Sequence, residues 1–150
     1  MNNYITSEEG IELIKSFEGF KSKPYLCSAG VPTIGIGTTV YPNGKKVTLR
    51  DGAIDLETAM EYVHHDLQKF EATVNKSVSV DLTQNQFDAL VCFTYNVGPG
   101  SFTSSTLLKL LNTGNYDSVP TQLLRWNKAK GVEVAGLTRR RKAEGDLFSS

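Results

Sequence analysis

Leu56, Ala59, Met60, Val63, Leu67, Phe70 and Val74 recur three or four residues apart behind Asp55, and this apolar stripe constrains the fold more than any other feature of the chain. It predicts one continuous amphipathic helix of about twenty residues, with Asp55 as its N-cap. In a chain of 150 residues such a helix is read as a connector within one structural unit. A sheet-bearing lobe over 1–55 precedes it, the helix takes 56–76, and a helical lobe over 77–150 follows.

Ahead of the stripe the periodicity changes twice. Thr6 and Glu9 make a capping-box pattern, and Ile11, Ile14 and Phe17 follow at helical spacing, so a short helix of about ten residues is expected to end at Glu18. From Val31 to Leu49 the residues Thr33, Ile34, Ile36, Thr38, Thr39 and Val40 favour strands, and Asn43-Gly44 is a turn signal before Val47 and Leu49. A small antiparallel sheet is the natural reading. Behind the stripe the signals are helical. Thr83 with Gln86 forms a second capping box, and that run ends at Asn96-Val97-Gly98-Pro99-Gly100. Ser105 to Leu111 closes at Gly114, Pro120 suits a first helical turn, and Thr138 is expected to cap a last helix that carries Arg139, Arg140 and Arg141. Strands in front and helices behind make an α+β protein.

Sixteen basic residues balance sixteen acidic ones, so no global field favours nucleic acid or an anionic membrane. The two cysteines, Cys27 and Cys92, have no zinc spacing and no disulfide framework, and are expected to be free thiols. The first residues lack the basic start and apolar run of a signal peptide, and no apolar stretch reaches the roughly 20 residues of a membrane span. Cytoplasmic synthesis without stable membrane insertion is the expectation. His64 and His65 are adjacent on the long helix, about 100° apart, and cannot share a metal as an i, i+4 pair would. Gly35-Ile36-Gly37 is no dinucleotide loop, because Val40 stands where a third glycine belongs and a hairpin signal follows.

The chemistry concentrates between residues 18 and 33. Glu18 is expected at the C-terminal end of its helix between Phe17 and Phe20, a setting that suits a general acid. Cys27 lies in the loop that follows and Thr33 opens the strand. Only Lys21 and Lys23 lie near enough in sequence to draw the Cys27 thiol below its ordinary pKa near ~8.5. A cysteine that packs as a small hydrophobe is the plainer alternative.

At these residues the chain resembles the phage-type lysozymes, the endolysins of glycoside hydrolase family 24. Glu18, Cys27 and Thr33 fit the family spacing of a catalytic Glu, eight residues, an Asp or Cys, five residues and a Thr. Thr33-Ile34-Gly35-Ile36-Gly37 fits its strand. The likeness continues through Leu82-Thr83, Gln86, Ala89-Leu90, Phe93, Tyr95-Asn96-Val97-Gly98, Trp126 and Gly136-Leu137-Thr138-Arg139-Arg140-Arg141.

The resemblance implies a lysozyme-like fold, with a small N-terminal lobe bearing an antiparallel sheet, a long connecting helix and an all-helical C-terminal lobe. It implies a cleft that binds peptidoglycan glycan strands, and cleavage of the β-1,4 bond between N-acetylmuramic acid and N-acetylglucosamine without cofactor or metal. Glu18 would be the general acid. Cys27 and Thr33 would activate water, or the Cys27 thiolate would attack directly. Tyr25, Gly35, Asn96 and Phe102 would bind substrate, and Arg139 or Arg140 would pair with Glu18. A monomer held in the cytoplasm until a holin lesion releases it to the periplasm and wall completes the expectation. A noncatalytic wall-binding or scaffolding module and a lytic transglycosylase are the alternatives. Two positions depart from many relatives: Cys27 where an Asp is common, and Thr38 where a His often stands.

Overall fold

The computed structural model of the chain describes residues 2–150. In chain order it contains α1 (Glu8–Glu18), β1 (Lys21–Leu26), β2 (Pro32–Gly35), α2 (Leu56–Ser77), α3 (Gln84–Val97), α4 (Pro99–Thr103), α5 (Thr106–Asn112), a 3₁₀ turn (Tyr116–Ser118), α6 (Val119–Leu124), β3 (Lys128–Ala129), β4 (Val132–Glu133) and α7 (Ala135–Ser149). Contacts divide it into two compact units, Glu12–Gln68 and the residues up to Ile11 together with Lys69–Ser150. The long helix expected from the apolar stripe is α2, which runs without a break from the first unit into the second. Ala59, Val63, Leu67, Phe70 and Val74 are buried along it, and Asp55 caps it by accepting the Thr58 amide at 2.8 Å.

Within Glu12–Gln68 the sheet is β1 paired antiparallel with β2, Tyr25 opposite Thr33 and Leu26 opposite Pro32. This differs from the sheet read from the sequence. Lys21-Ser22-Lys23-Pro24 is a poor strand by propensity, yet an edge strand tolerates a proline. The Asn43-Gly44 turn does form, with the Gly44 amide donating to the Tyr41 carbonyl at 2.9 Å. The chain on either side, however, makes only isolated bridges, Val40 with Lys46 and Ile34 with Thr38. Gly35 has φ +69, and a Cβ there would stand 3.1 Å from the Ala59 Cβ and 3.3 Å from Ile54 Cδ1. The missing side chain lets β2 lie directly on α2. Three residues further on, Thr38 donates its hydroxyl to Asp66 Oδ2 on α2 at 2.8 Å.

The helical unit is built around α3, on which every residue from Phe87 to Thr94 is buried. It carries the expected capping box of Thr83 with Gln86. Helix α7 packs on α3 and α6, and α5 packs on α6. The sequence assigned 1–55 to the sheet lobe, but residues 2–11 belong with the helices because side chains tie them there. Asn2 Nδ2 donates to the Val80 carbonyl at 2.8 Å, the Tyr4 amide to Asn75 Oδ1 at 3.0 Å, and the Thr6 amide and hydroxyl to Glu71 Oε2 at 2.8 and 2.7 Å. The cap of α1 is therefore Ser7 and not Thr6: the Ser7 hydroxyl accepts the Gly10 amide at 3.3 Å and itself donates to the buried Asp88.

Two further expectations are corrected here. Thr138 lies inside α7, whose N-cap is Val134 with no side-chain cap. The helical unit is also not all helix, since β3 and β4 form a hairpin. Its two-residue loop is Lys130-Gly131, with φ 53 and 79, the left-handed pair that such a turn requires.

Candidate active site

Four of the residues singled out in the sequence converge within the Glu12–Gln68 unit. Glu18 is the last residue of α1, and Gly19, at φ +75, ends the helix with its amide on the Lys15 carbonyl at 2.8 Å. The chain then enters β1. Tyr25 and Thr33 face each other across the hairpin, and Cys27, two residues beyond Tyr25, shares their face. Glu18 is half-buried, and Phe20 beyond it is 37% exposed. Charge on Glu18 is felt at the Tyr25 hydroxyl, whose pKa is raised first by burial and then by Glu18 and Cys27. Lys21 Nζ stands 5.8 Å above the Tyr25 ring.

The turn after Cys27 shapes its chemistry. The Gly30 amide donates to the Cys27 carbonyl at 2.8 Å and the Cys27 amide to the Val31 carbonyl at 3.1 Å, with Gly30 at φ +76. This three-residue loop with a left-handed glycine turns amides inward. Hydrogen bonding from the Val31 backbone, then from Ala29, then from the Thr33 hydroxyl holds the Cys27 thiol below its ordinary pKa, against a smaller upward push from burial. The expectation that only Lys21 and Lys23 could lower that pKa is overturned, because the backbone does it. Thr33 itself is 3% exposed and donates to the Val31 carbonyl at 2.9 Å.

Gly35 is buried against α2, where a side chain would crowd Ala59 and Ile54. Asn96, Phe102, Arg139 and Arg140 all lie in the helical unit. Asn96, near the end of α3, is exposed and accepts from Arg141 Nη2 at 2.8 Å. The expectation of a substrate contact through Phe102 is corrected. Its ring is 0% exposed and packs edge-on to Phe93 at 6.4 Å, so it is a core residue and offers no surface to a sugar. Arg139 is exposed.

Arg140 is 4% exposed. It donates from Nε to Glu144 Oε2 at 3.3 Å and from Nη2 to the Cys92 carbonyl at 3.0 Å. Arg141, which the sequence reading passed over, completes this cluster. Its Nη2 reaches Glu144 Oε2 at 3.1 Å, its Nε stands 2.8 Å from Glu144 Oε1, and its guanidinium lies 4.8 Å over the Phe93 ring. Burial raises the Glu144 pKa while both arginines pull it down. The i, i+3 and i, i+4 spacing of two arginines with one glutamate was the signal in the sequence.

A carboxyl at a helix end, a polarised thiol and a threonine hydroxyl on one sheet face belong to a chain whose likeness to known proteins spans nearly its full length. The family model described as phage lysozyme matches residues 15–144. The endolysin of Bacillus phage B103 is 44% identical over 142 residues, covering 95% of this chain and 53% of that protein. The endolysin of Acyrthosiphon pisum secondary endosymbiont phage 1 is 40% identical over 148 residues, 96% of this chain and 97% of its own length. The chain thus spans about half of the first relative and nearly all of the second. The solved structure of an endolysin from Escherichia coli O157:H7 phage FAHEc1 superposes with a TM-score of 0.91 at 40% identity, over 98% of this chain and 94% of that one. By its sequence, its lysozyme-like fold and the spacing of Glu18, Cys27 and Thr33, the chain belongs to the phage lysozyme family.

Proposed function

We propose that the protein is a muramidase that hydrolyses the β-1,4 bond between N-acetylmuramic acid and N-acetylglucosamine in peptidoglycan. The observation that carries this is the convergence of Glu18, Tyr25, Cys27 and Thr33 at one end of α1 and one face of the β1–β2 hairpin. Glycoside hydrolysis needs an acid for the leaving oxygen and a second group that activates water or attacks the anomeric carbon. In this reading Glu18 gives its proton to the glycosidic oxygen as the C1–O bond breaks. Cys27 is the second group. Its thiolate takes a proton from the water that attacks C1, with inversion, or bonds to C1 itself and is displaced by water, with retention. The Val31 and Ala29 amides and the Thr33 hydroxyl favour the thiolate that both routes require.

Tyr25 and Asn96 are assigned to substrate binding. Arg139 and Arg140 are assigned to supporting Glu18, by the resemblance alone. The substrate is the glycan strand of the wall, and the enzyme works there after host lysis, reached through a holin lesion from the cytoplasm. No described helix is long and apolar enough to cross a membrane.

The experiment is digestion of purified peptidoglycan with mass analysis of the products. Reducing-end muropeptides from the parent and none from Glu18→Gln are expected. Products lighter by one water would make the chain a lytic transglycosylase, and binding without cleavage would make it a noncatalytic wall-binding module. The anomer formed first separates inversion from retention.

A further inference from the structure

A second concave site lies in the same unit and includes none of Glu18, Tyr25, Cys27 or Thr33. It is a cavity of about 460 Å³ lined by Tyr41, Pro42, Asn43, Gly52, Ile54 and Tyr62, within the size range of small-molecule pockets. Its walls are built. The Tyr41 hydroxyl donates to Asp51 Oδ2 at 2.6 Å, and the same carboxylate accepts the Thr48 amide at 2.9 Å and the Thr48 hydroxyl at 2.6 Å. The Tyr41 and Tyr62 rings meet edge-on at 5.5 Å. The Ile54 amide is bonded to the Ser22 carbonyl of β1 at 2.8 Å. The Tyr62 hydroxyl and the Asn43 amide nitrogen make no hydrogen bond among the described residues, while Asn43 Oδ1 holds the Lys45 amide at 2.9 Å.

We propose that this cavity is an accessory saccharide site that takes one N-acetylated sugar ring of the wall glycan and holds the enzyme on its insoluble substrate. Two tyrosine rings, a proline and an isoleucine supply apolar walls for the C–H face of a pyranose. The free Tyr62 hydroxyl and Asn43 amide donate to its hydroxyl and acetamido oxygens. Charge agrees with this. Lys45, Lys46 and Arg50, all exposed, outnumber the one acid of the segment 41–52, Asp51, whose carboxylate is taken up by Tyr41 and Thr48, and this excess complements the carboxylates of muramic acid and of wall peptides. The choice of ligand rests on the muramidase reading, whereas the existence of the site rests on the cavity.

Gly52 provides a clean test, because it lines the cavity, has an ordinary φ, and a Cβ there would meet nothing within 4 Å. Gly52→Trp fills the cavity from its rim. Triacetylchitotriose added to the Glu18→Gln protein is expected to shift the amide resonances of residues 41–54, and Gly52→Trp in that background abolishes the shifts. Sedimentation with insoluble peptidoglycan weakens by about tenfold, the worth of one good aromatic contact. With Glu18 intact, Gly52→Trp cleaves short soluble glycan as fast as the parent. Tyr62→Ala is the second variant and follows the same pattern.

No shifts at 41–54, or wall retention unchanged in Gly52→Trp, overturns the site. So does an equal loss on soluble and insoluble substrate. If the parent cleaves no peptidoglycan the muramidase reading falls, and the chitotriose shifts with their loss in Gly52→Trp still decide the cavity.

Discussion

Cys27 and Cys92 carry the same side chain in opposite surroundings. Burial, with Glu144 beside it, pushes the Cys92 thiol well above the ordinary range, whereas the Val31 and Ala29 amides and the Thr33 hydroxyl draw the half-exposed Cys27 down. Thiolate is the reactive form, so iodoacetamide is expected to label Cys27 and leave Cys92 untouched in the folded protein. Labelling should rise with pH through a midpoint below the free thiol's, read by mass spectrometry. Thr33→Val removes the hydroxyl whose one proton must turn from the Val31 carbonyl to the sulfur as the thiolate forms, and so moves that midpoint upward; an unmoved midpoint would take Thr33 out of the thiol's environment. The linked stability has a definite sign. Because the folded pKa is the lower one, these bonds support the fold above the ordinary thiol pKa, and that support is lost as pH falls through the depressed value.

At the scale of elements, two contacts set where the site's strand and the helical core lie. Helix α2 touches β2 at Gly35, so Gly35→Ala introduces both a left-handed alanine and a methyl 3.1 Å from Ala59 Cβ. A loss of about 1–2 kcal/mol from the backbone alone is expected, seen as a lower midpoint in urea. Wild-type stability in that variant would show that β2 and α2 separate easily. Helix α7 is held to α3 by Arg140 on the Cys92 carbonyl and Arg141 on Asn96 Oδ1, and Glu144 of the same helix balances both guanidinium charges out of solvent. Glu144→Ala leaves guanidinium charge buried without its carboxylate, and should cost roughly 3–5 kcal/mol by the same measurement. A cost below 1 kcal/mol would mean that water reaches the pair.

Across the whole molecule, the parts that announced themselves in the sequence are those whose periodicity answers to burial alone. The α2 stripe, the Thr83–Gln86 box and the helical run from Ser105 to Leu111 all stand where local pattern put them. What escaped was decided by contacts distant in sequence or by backbone geometry. Thr6 looked like the α1 cap but is taken by Glu71, and β1 has a strand partner in spite of Pro24. The Lys130-Gly131 turn makes a hairpin whose strands are two residues each, too short for a period to show. Phe102, read as a binding residue from the family pattern, proved to be core because its ring found Phe93. In the candidate site, the spacing of Glu18, Cys27 and Thr33 was legible as the family's. The amides around the thiol were not, since no residue identity encodes an N–H direction; the Ser28-Ala29-Gly30 loop was their only trace.

The central claim is that the Cys27 thiolate stands across the scissile bond from the acid Glu18. Its most direct test is the rate of peptidoglycan cleavage by Cys27→Ser and Cys27→Asp beside the parent. A serine there stays neutral and an aspartate is ionised at neutral pH. Cleavage is expected to fall at least 10²-fold in Cys27→Ser and to persist in Cys27→Asp. Full activity in Cys27→Ser would contradict the claim and reduce the thiol to packing.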